Sequence, residues 1–438
     1  MSALPAPGRV LVVGLARSGR AAAMLLARQG WDVVAVDRAR VDADDLRAAG
    51  IEVRSPWDQP VHADLVVRSP GVPRDAPPLA AAYAAGTPVW SEIELASRVL
   101  ANPLMGITGT NGKTTTTELL AHLLRTGGLD AVACGNQGTP LAGLVGSVAP
   151  DAWLVVECSS FQLEDVPTFR PRAAVLLNVT PDHLDRYPDF AAYAAAKRNL
   201  FANQQRGDLA ILPAGDVSPG AAPARRIVIG GLPGDDAVAW DDDGLHVAGL
   251  GRVAAWNDIP LRGAHNRQNV GAAAAMAAYA GLDAVTIAAG LASFPGAPHR
   301  LEVVGSVNGI TFVNDSKATN PSAAIAALRA YSDNVILIAG GSAKGTPFDE
   351  LARAARGTVR TAHLIGQTAP ELAAALGKEG VTCVSEPDLA TAVAAAFADA
   401  RPGDVVLLSP ACASLDQFTS YEHRGDVFRA CARECTAG

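Results

Sequence analysis

The residues best suited to chemistry lie in the middle of the chain. Gly109-Thr110-Asn111-Gly112-Lys113-Thr114-Thr115 follows an apolar run at 104–108 and leads into helix-forming residues at 118–124. That order reads as strand, tight loop, helix start. Backbone amides of such a loop, with the positive end of the helix, surround phosphate oxygens, and the lysine adds a mobile charge. A hydroxyl directly after the lysine can ligate the Mg²⁺ that travels with a nucleoside triphosphate. Ile107 stands where the strict pattern asks for glycine, so the loop is a variant. Glu157 closes the strand-like run 153–156, where a Mg²⁺-ligating carboxylate belongs; the plainer alternative is a helix-capping acid ahead of Phe161. His183 sits among carboxylates past the strand-like run 173–179 and could serve as a ligand or base. Lys197, within a helical stretch at 190–203, supports no functional claim by itself.

The elements that must position these groups read as α/β throughout. At the N-terminus a buried-strand run, 9–13, enters Gly14-Leu15-Ala16-Arg17-Ser18-Gly19 and a helix, and a second strand ends at Asp37. This is the opening of a doubly wound nucleotide fold, with Ala16 where the dinucleotide fingerprint has its middle glycine. A third strand, 65–67, runs into Arg68-Ser69-Pro70-Gly71. Two ligand-type turns on one sheet edge favour a nucleotide diphosphate or dinucleotide, against the duller reading of plain βα turns. Asn266 and Asn269, three apart at the start of an Ala-rich helix, share a face and can cap it or meet a base. Residues 294–300 read as a linker, and α/β alternation resumes beyond it, with Asn320 and Pro321 as helix cap and first helical residue.

Composition narrows the classes. A net charge of −8 with no basic run argues against non-specific nucleic-acid binding, and no apolar stretch is long enough to span a bilayer. With no leader-like N-terminus and six scattered cysteines without a CxxC pair, a reduced cytoplasmic setting is expected. No G-x-S-x-G elbow marks a nucleophile. A triphosphate clamped by lysine and metal serves hydrolysis, phosphorylation of a substrate, or activation of a carboxylate as an acyl phosphate. Spacing alone does not choose among them, although two flanking α/β segments tilt toward a ligase with further substrates.

Resemblance does choose. The runs 109–114, 157–163 (Glu-Cys-Ser-Ser-Phe-Gln-Leu), 178–185 (Asn-Val-Thr-Pro-Asp-His-Leu-Asp) and 265–269 (His-Asn-Arg-Gln-Asn) resemble the Mur ligases and folylpolyglutamate synthases. Runs 314–320 and 409–418 resemble the Mur ligase branch that adds D-glutamate to UDP-N-acetylmuramoyl-L-alanine. The folate-type enzymes begin at the phosphate loop and lack the N-terminal turns. A dinucleotide-dependent dehydrogenase would leave Lys113 and Glu157 idle, and a non-catalytic ATP-binding regulator would need no C-terminal substrate motifs.

The resemblance implies three domains: a Rossmann-like 1–92 for the UDP substrate, a P-loop-type mononucleotide-binding 93–297 for ATP, and a Rossmann-like 298–438 for the amino acid. Gly14, Leu15, Ala16, Arg17, Asp37, Arg38, Ser69, Pro70, Gly71 and Asn136 would line the UDP substrate. Gly109, Thr110, Asn111, Gly112, Lys113, Thr114 and Thr115 would cradle the ATP phosphates, Asn266 and Asn269 would meet adenine, and Arg300, Asp315 and Lys317 the ribose and phosphates. Thr114 and Glu157 would hold one Mg²⁺, and His183 with Lys197 a second, the lysine being carbamylated in the family. Lys113, Asn136, His183 and Lys197 form the expected catalytic set. Thr319, Lys344, Ser414 and Tyr421 would receive D-glutamate. Tyr421 and Arg38 depart from the familiar phenylalanine and small hydroxyl residue. A cytoplasmic monomer acting on small molecules, in the peptidoglycan precursor synthesis that underlies cell shape and division, is the implied setting.

Overall fold

The computed structural model describes residues 4–57, 61–183, 186–215, 224–230, 234, 236–261, 264–342 and 347–437. The chain divides into two compact units, Met1–Phe294 and Pro295–Gly438. Three sheets carry the architecture, two of them in the first unit.

The first sheet is five parallel strands in the spatial order Glu52–Arg54, Asp32–Val36, Arg9–Val13, Leu65–Arg68, Val89–Ser91. Val10, Leu11, Val12 and Val13 are all buried, as a strand covered on both faces requires. Strand order reverses beside Arg9–Val13, so the turns at Gly14 and Ser69 flank the switch point where such sheets take ligands.

The second sheet has nine strands: Gly251–Ala254, Leu245–Val247, Ala237–Trp240, Arg225–Ile229, Leu209–Pro213, Ala173–Leu176, Leu104–Thr108, Trp153–Glu157, Ala131–Gly135. All pairings are parallel except the terminal meander, whose first turn is the acidic Asp241–Gly244 segment. Leu104–Thr108 lies between Trp153–Glu157 and Ala173–Leu176. Three neighbouring strands therefore deliver the phosphate loop, Glu157 and the segment toward His183 to one edge.

The two sheets share a core: Leu25, Leu26, Trp90, Ile93 and Leu95 pack in one cluster with Leu141, Leu163 and Phe169. The other face of the second sheet is closed by Lys113–Thr126 against the Ala-rich helix Ala264–Tyr279, whose alanines let the two helices approach closely. Among the described residues no helix is long and apolar enough to cross a membrane.

Within the second unit, strands run Glu302–Val307, Ile310–Asn314, Val405–Leu408, Val335–Gly340, Val359–Ile365, Thr382–Ser385, parallel except for the first pair. Asn320 caps the helix Pro321–Leu328 by accepting from the Ala323 amide at 2.9 Å, with Pro321 as its first residue, as the sequence indicates.

Two elements differ from their sequence reading for physical reasons. The strand expected over 173–179 ends at Leu176, because Asn178 leaves the ladder to bond the phosphate loop. The helix expected over 190–203 stops at Arg198, and a 3₁₀ turn, Asn199–Phe201, follows and buries Leu200 and Phe201.

Candidate active site

The phosphate loop is shaped by its own glycines and by the side chains around it. Gly112 has φ +86°, and a Cβ there would lie 2.1 Å from Asn269 Oδ1, so no larger residue fits. The Asn269 side chain donates to Asn266 Oδ1 at 2.9 Å. Both asparagines thus stand beside the loop on one helix face. Asn178 braces the loop from the next strand, accepting from the Asn111 amide at 2.9 Å and donating to the Asn111 carbonyl at 3.1 Å. Lys113 Nζ folds back to donate to the Gly109 and Thr110 carbonyls, each at 2.9 Å. Thr115 is buried beneath, on the first turn of the helix.

Glu157 is buried at its strand end, and its two oxygens are shared by two expected site residues. Oε2 accepts from the Thr114 hydroxyl at 2.7 Å, and Oε1 from the Asn136 amide at 2.9 Å. This excludes the capping alternative, since Glu157 accepts from side chains of the loop helix and of the segment after Ala131–Gly135.

Lys197 lies 2% exposed beneath the same loop, donating to the Gly109 carbonyl at 3.0 Å with its ammonium 4.6 Å from the Tyr193 ring centroid. Burial, reinforced by the neighbouring Lys113 charge, pulls its pKa down to about 7. Tyr193 OH lies 3.2 Å from Thr110 Oγ1. His183 has φ +54° and is partly exposed, with Nε2 3.6 Å from Asp182 Oδ2 and its ring 4.8 Å from that of Phe161.

These donors suit a magnesium ion at one position. A threonine hydroxyl and a buried carboxylate in contact are hard oxygen ligands beside a phosphate loop. At the second position Lys197 as an ammonium does not suit a cation; as a carbamate, with His183, it does. Among the described residues no group of three or more His, Cys, Asp or Glu gathers as a metal cluster.

At the first sheet, Asp37 accepts from the Leu15 amide at 2.7 Å and the Ala39 amide at 3.0 Å, fixing the Gly14 turn and the Arg38 segment. Ser69 Oγ donates to the Gly14 carbonyl at 2.7 Å, which joins the two turns. Ala16 precedes the helix Arg17–Arg28 as an extended cap residue, and Arg17 reaches the Gly138 carbonyl at 3.5 Å. Half-buried Pro70 and exposed Gly71 form the crest of the second turn.

In the second unit, Asp315 is buried, accepts from Ser409 Oγ at 2.8 Å and the Leu301 amide at 3.2 Å, and is raised by burial to about 6. Arg300 tempers that rise. Lys317 lies 5.7 Å from the Tyr421 ring, Ser414 is buried, and Thr319 follows in the same turn as Lys317. Lys344 lies outside the described residues.

The Mur ligase middle domain matches residues 107–277, and the Mur ligase glutamate ligase domain matches residues 299–412. A UDP-N-acetylmuramoylalanine–D-glutamate ligase of Myxococcus xanthus is 45% identical over 96% of this chain and 97% of its own. One of that name from Pelotomaculum thermopropionicum is 42% identical over 96% of each. The chain belongs to the Mur ligase family.

The solved UDP-N-acetylmuramate–alanine ligase of Thermotoga maritima, at 19% identity, covers 97% of this Mur ligase with a TM-score of 0.61, and shares its three-sheet α/β fold. Several site-shaping residues escaped the sequence reading of this Mur ligase. Asn178 and Tyr193 brace the phosphate loop, and Arg68 and Arg186 hold the turn after Ser69. Arg424, fully buried, donates to the Ser316 and Cys412 carbonyls at 2.8 and 3.1 Å and is lowered by burial to about 10. Only Asn178 carried a signal, its place in the run toward His183; the others occupy ordinary strand, loop or helix positions.

Proposed function

We propose that this Mur ligase joins D-glutamate to UDP-N-acetylmuramoyl-L-alanine at the cost of ATP, through an acyl phosphate. The observation that carries the phosphoryl chemistry is the Thr114–Glu157–Asn136 constellation under a lysine-bearing phosphate loop. The likeness to D-glutamate-adding relatives along nearly the whole chain supports the choice of substrates.

In this reading residues 1–92 hold the UDP substrate, 93–297 bind ATP and 298–438 take D-glutamate. Loop amides from Gly109 to Thr115 and the Lys113 ammonium cradle the ATP phosphates, and Asn266 and Asn269 face the adenine. Arg300, Asp315 and Lys317 take the ribose and phosphates; Thr319, Lys344, Ser414 and Tyr421 take the amino acid. The Gly14-to-Arg17 turn, Asp37, Arg38 and residues 69–71 line uridine and diphosphate.

The substrate carboxylate attacks the γ-phosphorus and ADP departs. The D-glutamate amine then attacks the acyl carbon, and the tetrahedral adduct expels phosphate. Lys113 balances charge on the transferring phosphoryl group, and Asn136 and His183 orient the acyl end. Mg²⁺ held by Thr114 and Glu157, and by His183 with carbamylated Lys197, would supply charge screening at the phosphates. A lysine whose pKa lies near 7 is largely neutral in mildly alkaline solution, the form that adds carbon dioxide. We place the enzyme in the cytoplasm as a monomer.

The test is ADP release by the purified protein. It should require UDP-N-acetylmuramoyl-L-alanine and D-glutamate together, and ADP formed at full rate without the nucleotide substrate defeats the proposal.

A further inference from the structure

Arg186 is held by carbonyls and a ring. Its Nη1 and Nη2 reach the Gly71 and Val72 carbonyls at 3.4 and 3.5 Å, and its guanidinium lies over the Phe161 ring at 4.4 Å from the centroid. Among the described residues no carboxylate pairs with it. The Val72 carbonyl also accepts from Arg68 Nη1 at 3.1 Å, while Arg68 Nη2 donates to the Phe161 carbonyl at 2.7 Å. Arg68 is fully buried and ion-paired to Glu164 and Asp165, so it forms the fixed tie between this turn and the Phe161 segment.

Arg186 forms a second, looser tie on the outside of the same two pieces. Phe161 is in turn packed against His183 at 4.8 Å and stacked on Tyr187 at 5.7 Å. The chain from the Gly71 turn through Arg186 and Phe161 thus ends on the imidazole three residues before Arg186.

We propose that Arg186 is a positioning residue, which sets the loop presenting His183 relative to the glycine turn that takes the nucleotide diphosphate. This rests on the substrate reading given above. Long hydrogen bonds are individually weak, and the stack on Phe161 carries much of the hold. A planar guanidinium bridges two carbonyls and stacks at once, which an ammonium does not do.

Steady-state kinetics of Arg186→Ala, Arg186→Lys and Phe161→Leu, with their double mutants, test the proposal. Arg186→Ala should raise KM for the UDP substrate and lower kcat, together about tenfold in kcat/KM, as loss of a cation–π contact and two weak bonds implies. KM for ATP should stay within about twofold, since the phosphate loop is braced by other residues. Arg186→Lys should recover only part of the loss, and combining Arg186→Ala with Phe161→Leu should cost less than the sum of the two. Unchanged kcat/KM in Arg186→Ala, an equal rise in KM for ATP, or strict additivity overturns the inference. Wild-type protein that turns over the UDP substrate while any of these holds leaves the proposed function standing; wild-type protein that does not turn it over defeats that reading instead.

Discussion

Replacing Lys197 by methionine should make the protein more stable while nearly abolishing its activity. The folded pKa of about 7 against an ordinary 10.5 amounts to about 5 kcal/mol at ~1.4 kcal/mol per unit, an upper figure for holding the charge in place. The sign follows from proton binding. Between pH 10.5 and 7 the unfolded chain takes up a proton that the folded chain refuses, so stability falls as pH falls, and the full cost is present below pH 7. Methionine matches the stem without the charge, and the Gly109 carbonyl keeps a donor in Lys113 Nζ at 2.9 Å. Lys197→Met should therefore gain roughly 2–5 kcal/mol at pH 6.5, and the gain should shrink toward pH 10. All six tryptophans precede residue 294, so urea unfolding followed by tryptophan fluorescence in bicarbonate-free buffer reads the first unit alone. Activity of Lys197→Ala should fall at least ~100-fold and be partly restored by a short-chain carboxylic acid that supplies the missing oxygen ligands. A Lys197→Met protein less stable than wild type at pH 6.5, or a difference that ignores pH, refutes the reasoning.

Other perturbations probe other parts of the same unit. Glu92 is buried with Oε2 unpartnered among the described residues, and burial raises its pKa to about 7 from 4.5. Its folded pKa lies above its unfolded one, so stability drops as pH rises from 4.5 to 7; Glu92→Gln should add up to about 3 kcal/mol at pH 8 and almost nothing at pH 4.5, measured by the same fluorescence titration. Arg68→Leu leaves Glu164 and Asp165 without their buried partner and should cost roughly 3–5 kcal/mol, read as a lowered urea midpoint. Gly112→Ala forces a Cβ against Asn269 in a left-handed backbone; calorimetric titration should find ATP binding lost, with a stability loss of only about 1–2 kcal/mol.

The elements were legible wherever apolar patterning was continuous. Residues 9–13, 153–156 and 405–408 announce buried parallel strands because both faces are covered, and the structure has strands there. Short edge strands such as Val89–Ser91 and Thr382–Ser385 carry too few residues for a period to show. The strand end was misjudged at 177–179 because apolar Leu177 and Val179 flank Asn178 there, and Asn178 spends its hydrogen bonds on Asn111. In the site, the Gly109–Thr115 loop was readable since its chemistry is contiguous in sequence. Arg68 was not, because its worth depends on Glu164 and Asp165 arriving from another sheet.

Lys197 shows why residue type and spacing stop short of function. On its helix it is one basic residue beside Arg198, and nothing in the pattern separates the two. Folding does, by placing Lys197 under the Gly109 carbonyl within the field of Lys113 and out of water. A lysine kept there as a cation would only weaken the fold and repel the ion its neighbours are suited to hold. Converted to a carbamate it would instead meet Lys113 with opposite charge and offer oxygen to a metal, so the same neighbouring charge that costs stability in the unmodified protein favours the modified one. The stability measurement on Lys197→Met and the rescue of Lys197→Ala therefore test two sides of one electrostatic argument, and each can fail without the other.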